Sequence, residues 1–242
     1  MSATTSVASS KAETLRALEQ AVIFEDSRFL VINKPSGMAV HGGSGLSFGV
    51  IEGLRALRPT APYLELAHRL DRDTSGCLLI AKRRSGLRAF QKQQEAGYVH
   101  KHYLALVKGE WQGGGRKVDA PLSKMTDKSG KRTVRVDARG KRSVSRFTPL
   151  QRFDGATLMR IKLITGRTHQ IRAHATHTGH PIAGDCRYGD AAFNEAMAKI
   201  GLQRLFLHAE SIRFEIPGVE PYEINAPLDP RLEALHGRLV KR

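Results

Sequence analysis

Three polar stretches of this sequence contain residue types that carry out acid–base and nucleophilic chemistry. The first, residues 68–76, reads HRLDRDTSG and lies between two apolar runs. Its Asp71 has arginines close by in sequence, and a nearby cation keeps a carboxylate ionised even where it is partly buried. An ionised carboxylate acts as a nucleophile or as a general base. From composition alone, a structural aspartate in a surface turn is the simpler interpretation of Asp71.

The second stretch offers an aromatic ring and a hydroxyl on a predicted strand. Tyr103 lies in the sequence KHYLAL at residues 101–106. Stacking of such a ring on a nucleic-acid base contributes about 1–3 kcal/mol per base. The phenol is also able to take or give a proton. Without context, an ordinary half-buried strand tyrosine is the simpler interpretation.

The third stretch is a cationic segment with helical periodicity. Residues 165–174 read TGRTHQIRAH, and we predict a helix over residues 168–178. On such a helix Thr168, Arg172 and Ala175 share a face. An arginine on the inward face needs an anionic partner, because burying it alone is costly. A solvent-facing basic helix is the alternative.

The charge balance favours a polyanionic partner. Among the 242 residues, 39 are Lys or Arg and 23 are Asp or Glu, giving a formal charge of +16. Nucleic acid is the leading candidate, because neutralising phosphates releases condensed counterions. A soluble protein that is merely basic is the alternative that charge alone leaves open.

Residues 128–146 concentrate this positive charge. Val134 and Val136 alternate with polar residues, which predicts a hairpin with a charged outer face within residues 128–146. We therefore expect an RNA-contacting surface there, although charge runs are often only solvated faces. The candidate residues are Lys131, Arg132, Lys141 and Arg142.

Cysteine and histidine usage indicates reduced thiols and no metal site. Cys77 and Cys186 show no paired spacing, so we expect a cytoplasmic protein with free thiols. No apolar run approaches the roughly 18 residues that a membrane span needs. The histidines between residues 169 and 180 do not follow a standard zinc pattern.

The elements that must position these residues predict an α+β fold. Apolar and β-branched runs predict strands at residues 22–26, 29–33, 64–68, 76–81, 102–107, 156–165, 204–214 and 222–226. Helical patterns cover residues 48–57, 85–95, where Ser85 is the expected cap, 168–178 and 229–240. Many strands with scattered helices favour a mixed, mostly antiparallel sheet. Residues 1–20 are expected to form a disordered tail or linker, in which residues 11–20 are able to form a short helix. Residues 21–242 are expected to form one catalytic domain.

Taken together, the three stretches resemble the pseudouridine synthases of the RluA family. The family signature His-Arg-Leu-Asp-x-x-Thr-Ser-Gly is present at residues 68–76 without departure. GRTHQIR at residues 166–172 and the Lys-x-Tyr-x-Ala pattern at residues 101–105 follow in the family's order. NKPSG, GHPIAGD and LHA, at residues 33–37, 179–185 and 207–209, extend the resemblance. It covers roughly residues 21–228.

Within the family, residues 41–53 look most like a branch that modifies bacterial large-subunit ribosomal RNA. Members of this branch usually carry a small RNA-binding domain ahead of the catalytic one. About twenty residues precede Val22 here.

The resemblance implies a role for each matching residue. Asp71 matches the catalytic aspartate, and Arg172 matches the basic residue that pairs with it. Tyr103 matches the tyrosine that packs on the target base and handles the ring proton. Arg69 matches a residue that helps displace the target nucleotide, and Ile171 matches an apolar wall of the pocket.

The resemblance also implies a fold and a set of partners. The fold is a mixed, mostly antiparallel sheet with flanking helices and a central catalytic cleft. His68 and Arg167, within the same motifs, are further candidates for RNA binding. We expect large-subunit ribosomal RNA as the partner, no cofactor, no metal, no membrane contact and a monomeric state.

Two other function classes are compatible with parts of the sequence. A metal-dependent nuclease could use Asp71 and Asp73, since paired acids hold divalent ions, but the intervening Arg72 is a poor neighbour for a metal. A non-catalytic ribosomal RNA-binding or assembly factor fits the positive charge equally well. The coexistence of three motifs disfavours it.

Overall fold

The structure is a computed structural model that describes residues 12–42, 48–126 and 132–240. The chain divides into two compact units. Unit 1 comprises residues 1–99 and 212–227, and unit 2 comprises residues 100–211 and 228–242.

Unit 1 is built on antiparallel strands with three helices beside them. Its elements are α1 (residues 12–20), β1 (Val22–Glu25), β2 (Phe29–Lys34), α2 (Val50–Leu57), β3 (Glu65–Leu66), β4 (Ser75–Ala81), α3 (Arg84–Glu95) and β12 (Tyr222–Asn225). The strand order is β1-β2-β4, with β3 also paired to β4. Every residue of β4 is buried, which explains its continuous apolar sequence.

An aromatic cluster forms the core of unit 1 and supports β4. Phe214 stacks on Tyr222 with centroids 4.7 Å apart, and meets Phe29 and Phe90 edge-on at 5.4 and 5.1 Å. Edge-on and offset-stacked pairs are the arrangements that aromatic quadrupoles favour. The cluster therefore packs Phe214 and Tyr222 against β2 and α3.

Unit 2 contains a second set of antiparallel strands and a separate small sheet. Its elements are β5 (His100–Lys108), β6 (Arg116–Asp119), β7 (Leu122–Thr126), β8 (Arg132–Val136), β9 (Val144–Phe153), β10 (Ala156–Leu163), α4 (Gln170–His177), α5 (Ala191–Lys199) and α6 (Pro230–Arg238). Strand β11 (Leu207–Phe214) lies in unit 2 up to Ser211 and in unit 1 from Ile212. The order is β11-β5-β10-β9-β6, and β7 pairs with β8.

The predicted α+β class with mostly antiparallel pairing is confirmed. The pairings β1–β2, β2–β4, β3–β4, β5–β10, β9–β10, β6–β9 and β7–β8 are all antiparallel. Residues 12–20 form a helix, and Leu18 within it is fully buried. Of the two alternatives for this segment, a short helix or a linker, the structure therefore has the helix. The single catalytic domain over residues 21–242 and the central cleft stay predictions.

Several predicted element boundaries differ from the structure. The helix expected from Thr168 begins at Gln170, because His169 has a left-handed backbone with φ 51°. The strand expected at residues 64–68 shortens to Glu65–Leu66. Ser85 lies inside α3, whose N-cap is Arg83 without a side-chain cap. Helix α5, capped by the carboxylate of Asp190, was not predicted.

The hairpin predicted within residues 128–146 is wrong in its pairing. Strand β8 pairs with the strand that precedes it in the chain, β7 (Leu122–Thr126), whereas Arg146 belongs to β9 of the larger sheet. Two candidate residues fall outside the described residues: Lys131 entirely, and Arg132 in its side chain. The sequence alternation identified β8 correctly, but it did not identify the partner strand.

Candidate active site

The loop between β3 and β4 in unit 1 holds the predicted catalytic carboxylate. Asp71 is half-buried, its neighbour Leu70 is buried, and Arg69 is exposed. The backbone N–H of Thr74 donates to the carbonyl of Asp71 at 3.2 Å and closes a turn. Gly76 follows with φ 108°, a backbone conformation that side chains rarely adopt. The chain thus turns sharply into the buried strand β4 directly after Asp71.

A fully buried lysine hydrogen-bonds to the backbone of this loop. The Nζ of Lys34 donates to the carbonyls of Pro35 and Met38, each at 2.8 Å, and of Arg72 at 3.0 Å. Lys34 has no exposed surface. Buried ammonium groups are stable only where they are hydrogen-bonded, so these carbonyls hold Lys34, and Lys34 in turn fixes the backbone next to Asp71.

Further hydrogen bonds join the segment after β2 to the same loop. The hydroxyl of Ser36 donates to the carbonyl of Asp73 at 2.7 Å. The N–H of Gly37 donates to the carbonyl of Arg72, and the Nε of Arg72 donates to the carbonyl of Gly37, both at 2.9 Å. The NKPSG motif is therefore a brace for the loop that carries Asp71.

His68 has a structural contact at the start of the loop. The N–H of Leu79 on β4 donates to the Nε2 of His68 at 3.2 Å. The ring also lies beside Phe90, with centroids 6.4 Å apart. This ties the entrance of the loop to β4. An RNA contact for His68 stays a prediction.

Tyr103 lies on β5 in unit 2, where it is 6% exposed. It stands opposite Ile161 on β10. Lys101 lies two residues earlier, on the same face of the strand. Burial lowers the pKa of Lys101 to about 8, so its charge is held in a poorly solvated place. Tyr103 thus has the apolar side chain of Ile161 on the neighbouring strand and the half-buried Lys101 two residues away on the same face.

Arg172 on α4 forms a buried two-point ion pair with Asp185. The Nε of Arg172 lies 2.7 Å from the Oδ2 of Asp185, and its Nη2 lies 2.8 Å from Oδ1. Their side chains are 7% and 0% exposed. Burial raises the pKa of Asp185, but the hydrogen bonds and charge of Arg172, with the N–H groups of Tyr188 and Arg187, outweigh it and lower that pKa. Both groups are therefore charged at neutral pH.

Polar side chains fix α4, which carries Arg172, against the strands of unit 2. The Nε2 of Gln170 donates to the carbonyl of Val144 at 3.0 Å and to the Oγ of Ser145 at 2.8 Å. One turn later, His174 contacts the same Oγ at 3.1 Å through Nδ1, and the carbonyl of Ala120 at 2.9 Å through Nε2. Because a carbonyl only accepts, Nε2 carries the proton.

Tyr188 connects Arg172 to the small β7–β8 sheet. Its hydroxyl accepts from the N–H of Val134 at 2.9 Å and hydrogen-bonds to the Nδ1 of His169 at 2.8 Å. The guanidinium of Arg172 lies over its ring, 5.0 Å from the centroid. Among the described residues, His169 is the one non-glycine with a positive φ. Such strain is held in place only where surrounding contacts determine it.

The other predicted RNA-binding residues of unit 2 lie around α4. Arg142 and Arg167 are exposed, and the Nε of Arg167 donates to the carbonyl of Arg142 at 3.3 Å. Lys141 is exposed and its backbone pairs with Leu122 of β7. Ile171 is 5% exposed, which agrees with an apolar wall.

The structure brings together the predicted residues within each unit. In unit 1, His68, Arg69 and Asp71 share one loop. In unit 2, Ile171 and Arg172 share α4, with Arg167 just before it. The pairing expected between Asp71 and Arg172, which belong to different units, stays a prediction.

Three structural residues were missed as site residues although their motifs were recognised. Lys34 and Asp185 lie in the NKPSG and GHPIAGD motifs, and Tyr188 follows three residues later. The signal was a charged residue inside an otherwise apolar or glycine-rich motif, which needs a partner if it is buried.

In residues 12–42, 48–126 and 132–240, no three His, Cys, Asp or Glu side chains are grouped as metal ligands would be. No helix in that part of the chain is long and apolar enough to cross a membrane.

Comparison of the sequence with known proteins finds one family and many relatives. Residues 28–177 match the family described as RNA pseudouridylate synthase. The chain is 56% identical over 232 residues to ribosomal large subunit pseudouridine synthase C of Pasteurella multocida (strain Pm70), covering 96% of the chain and 71% of that protein. It is 54% identical over 224 residues to the protein of the same name from Escherichia coli (strain K12), covering 91% and 70%.

Solved structures agree with the sequence comparison. Human RNA Pseudouridylate Synthase Domain Containing 4 superimposes with a TM-score of 0.76 and 26% identity, covering 95% of this chain and 97% of that one. Human RNA Pseudouridylate Synthase Domain Containing 1 gives a TM-score of 0.75 and 26% identity, with 92% and 88% covered.

Proposed function

Because this chain belongs to the RNA pseudouridylate synthase family, we propose that it isomerises specific uridines of large-subunit ribosomal RNA to pseudouridine. It is an isomerase of the RluA type. The observation that carries the choice of substrate is the identity of 54–56% to large-subunit synthases over more than nine-tenths of the chain. Nothing in these comparisons favours a nuclease or a non-catalytic assembly factor.

The reaction breaks the bond between a uracil nitrogen and the ribose C1′ and forms a bond between C1′ and a ring carbon. A proton then leaves that carbon and the released ring nitrogen gains one, so the composition of the RNA does not change. A base inside a helix is out of reach, so the nucleotide must be flipped out, which costs a few kcal/mol. Contacts to the phosphates offset this cost.

Asp71 is the proposed catalytic carboxylate. It either attacks the sugar or the ring, or removes a sugar proton. Each of these first steps needs the ionised form of the Asp71 carboxyl group. The hydrogen bonds from Lys34 and Ser36 to the loop backbone support this role, because catalytic groups must be held within a fraction of an ångström.

Arg172 is the proposed partner that keeps Asp71 ionised and aimed. Asp185 accepts from two N–H groups along one edge of its guanidinium, so the side chain cannot rotate freely. Tyr103 is proposed to pack on the detached base and to handle the ring proton, and Ile171 to form a wall of the pocket. Arg69, which is exposed, is proposed to enter the space that the flipped nucleotide vacates.

The RNA-binding surface is proposed to include cations around α4. Arg142 and Arg167 form one exposed basic site, in which the Nε of Arg167 donates to the carbonyl of Arg142, and Lys141 extends it toward β7. Lys131 and Arg132 stay candidates from sequence alone. His68 stays a proposed RNA-binding residue beside its structural contact.

We propose that the enzyme acts in the cytoplasm as a monomer, without cofactor or metal. The test is incubation of the purified chain with unmodified large-subunit ribosomal RNA, followed by pseudouridine mapping. Pseudouridine at defined uridines, undiminished by a chelator, is the expected result. Binding without modification would identify an assembly factor, and chelator-sensitive strand cleavage would identify a nuclease.

A further inference from the structure

A row of three cationic side chains and one histidine runs across four neighbouring strands of unit 2. Lys117 on β6 stands opposite Arg146 on β9, and Arg146 stands opposite Lys162 on β10. Lys162 in turn stands opposite His102 on β5. Directly opposed residues point to the same face of an antiparallel sheet, so these four residues form one transverse line, here called the basic row.

The basic row lies on the solvent side of the sheet. Lys117 and Arg146 are exposed, and Lys162 and His102 are half-buried. The adjacent row, in which Phe147, Ile161 and Tyr103 oppose one another, has at most 6% exposure and faces the core. The basic row therefore occupies the face opposite to that of Tyr103.

This arrangement costs stability in the free protein. Like charges that stand directly opposite in a sheet are destabilising. Within the described residues, neither Arg146 nor Lys162 forms an ion pair, and Lys117 pairs only with exposed Asp119 at 3.2 Å. Burial and then the charge of Lys162 lower the pKa of His102, although Glu210 opposes this.

In the next row on the same face, a carboxylate balances the positive charge of an arginine. Arg160 on β10 forms a two-point ion pair with Glu210, with Nε–Oε2 at 2.8 Å and Nη2–Oε1 at 2.6 Å. The positive charge there is already balanced. Among the residues that the structure describes, the basic row has no two-point acid partner of this kind, so an anionic ligand would be able to supply the balancing charge.

We propose that the basic row binds the phosphodiester backbone of the RNA substrate, on the sheet face opposite Tyr103. This inference rests on the proposed function, because it takes the RNA as the anion. Adjacent strands lie about 4.8 Å apart, so the three cations Lys117, Arg146 and Lys162 form a line about 10 Å long. Each nucleic-acid strand carries one phosphate per about 3.4 Å of helix axis, so such a line spans several phosphates.

The test removes three charges of the row and measures RNA affinity against salt. The variant carries Lys117→Gln, Arg146→Gln and Lys162→Gln, and the probe is an unmodified large-subunit ribosomal RNA fragment. We expect affinity to fall by at least about tenfold, and the slope of log affinity against log salt to become shallower by about 2 to 3. The rate at saturating RNA is unchanged, and thermal stability is equal or higher because like-charge repulsion is relieved.

The matched control removes three exposed cations of α3, namely Arg84→Gln, Arg88→Gln and Lys92→Gln. It changes the net charge by the same amount and is expected to leave the salt slope close to that of wild type. Equal effects of both variants would mean that only net charge matters, and would overturn the inference. An unchanged slope in the row variant would also overturn it and would point to a protein partner or to none. If the triple variant does not fold, Arg146→Gln alone is expected to lower the slope by about 1, and an unchanged slope overturns the inference.

The two proposals fail in distinguishable ways. If wild type forms pseudouridine and the row variant binds RNA as wild type does, only the basic row is wrong. If wild type binds ribosomal RNA through the row but forms no pseudouridine, the proposed function is wrong and the row is not.

Discussion

Arg172 and Asp185 form a two-point ion pair at 2.7 and 2.8 Å, in a place where the side chain of Asp185 has no solvent exposure. The pair uses Nε and Nη2, which supply two of the five N–H donors of the guanidinium. Asp185 thereby fixes the orientation of a cation that the proposed mechanism needs.

Asp185→Asn is expected to destabilise the fold by about 3 kcal/mol, because it removes the buried negative charge that two N–H groups of the buried Arg172 guanidinium bind. The catalytic rate is expected to fall more than RNA affinity. Chemical unfolding and single-turnover kinetics measure both. Glu210→Gln is the matched control: it breaks a two-point pair with Arg160, whose side chain is 48% exposed, and is expected to cost no more than about 1 kcal/mol. Equal losses in the two variants would contradict the role of Asp185.

Lys34→Met is expected to loosen the loop that carries Asp71. It removes a buried ammonium from three carbonyls, and each buried group left unsatisfied costs roughly 1–3 kcal/mol. Faster amide exchange at Thr74, together with a lower turnover rate, is the expected result. Lys82→Met provides the comparison, because Lys82 donates to the carbonyl of Asp26 away from the loop. Normal exchange at Thr74 in Lys34→Met would exclude the bracing role.

Unfolding of the wild-type protein is expected to depend on pH through His174. Burial lowers the pKa of His174 below its usual value of 6.5, with a smaller contribution from His177 and opposed by Ala120 and Asp119. The unfolded chain therefore binds this proton more readily than the folded one does. The contribution of neutral His174 to the free energy of unfolding is present above pH 6.5 and is lost as the pH falls below that value. His174→Gln should reduce this loss in unfolding curves between pH 5 and 8, the range in which histidines titrate. An identical pH profile would show that other groups are responsible.

Tyr103→Phe separates packing from proton transfer. It keeps the ring and removes the hydroxyl, so RNA affinity should stay near wild type. General acid–base groups typically contribute about 10²–10⁴-fold, and a loss in that range is expected in single-turnover rate. A wild-type rate would assign Tyr103 to packing alone.

The sequence predicted the fold class and the motif residues better than the contacts between them. The apolar runs and the turn residues between them predicted β2, β4 and β10, because both are local signals in the sequence. They did not predict that β8 pairs with β7, since strand partners depend on register over distance. The ion pair between Arg172 and Asp185 was not predicted, for the same reason. Asp185 lies thirteen residues away in the chain, and only the packing of α4 brings the two side chains together.

The identity of Asp71 as the catalytic carboxylate is tested most directly by Asp71→Asn with unmodified large-subunit ribosomal RNA. Asn keeps the size of the side chain and removes its charge, and the control is Asp73→Asn, two residues later in the same loop and exposed. Pseudouridine mapping after a single turnover gives the readout, with RNA affinity measured in parallel. The account predicts that Asp71→Asn binds RNA and forms no pseudouridine, while Asp73→Asn modifies the same uridines as wild type. Normal pseudouridine formation by Asp71→Asn would contradict it.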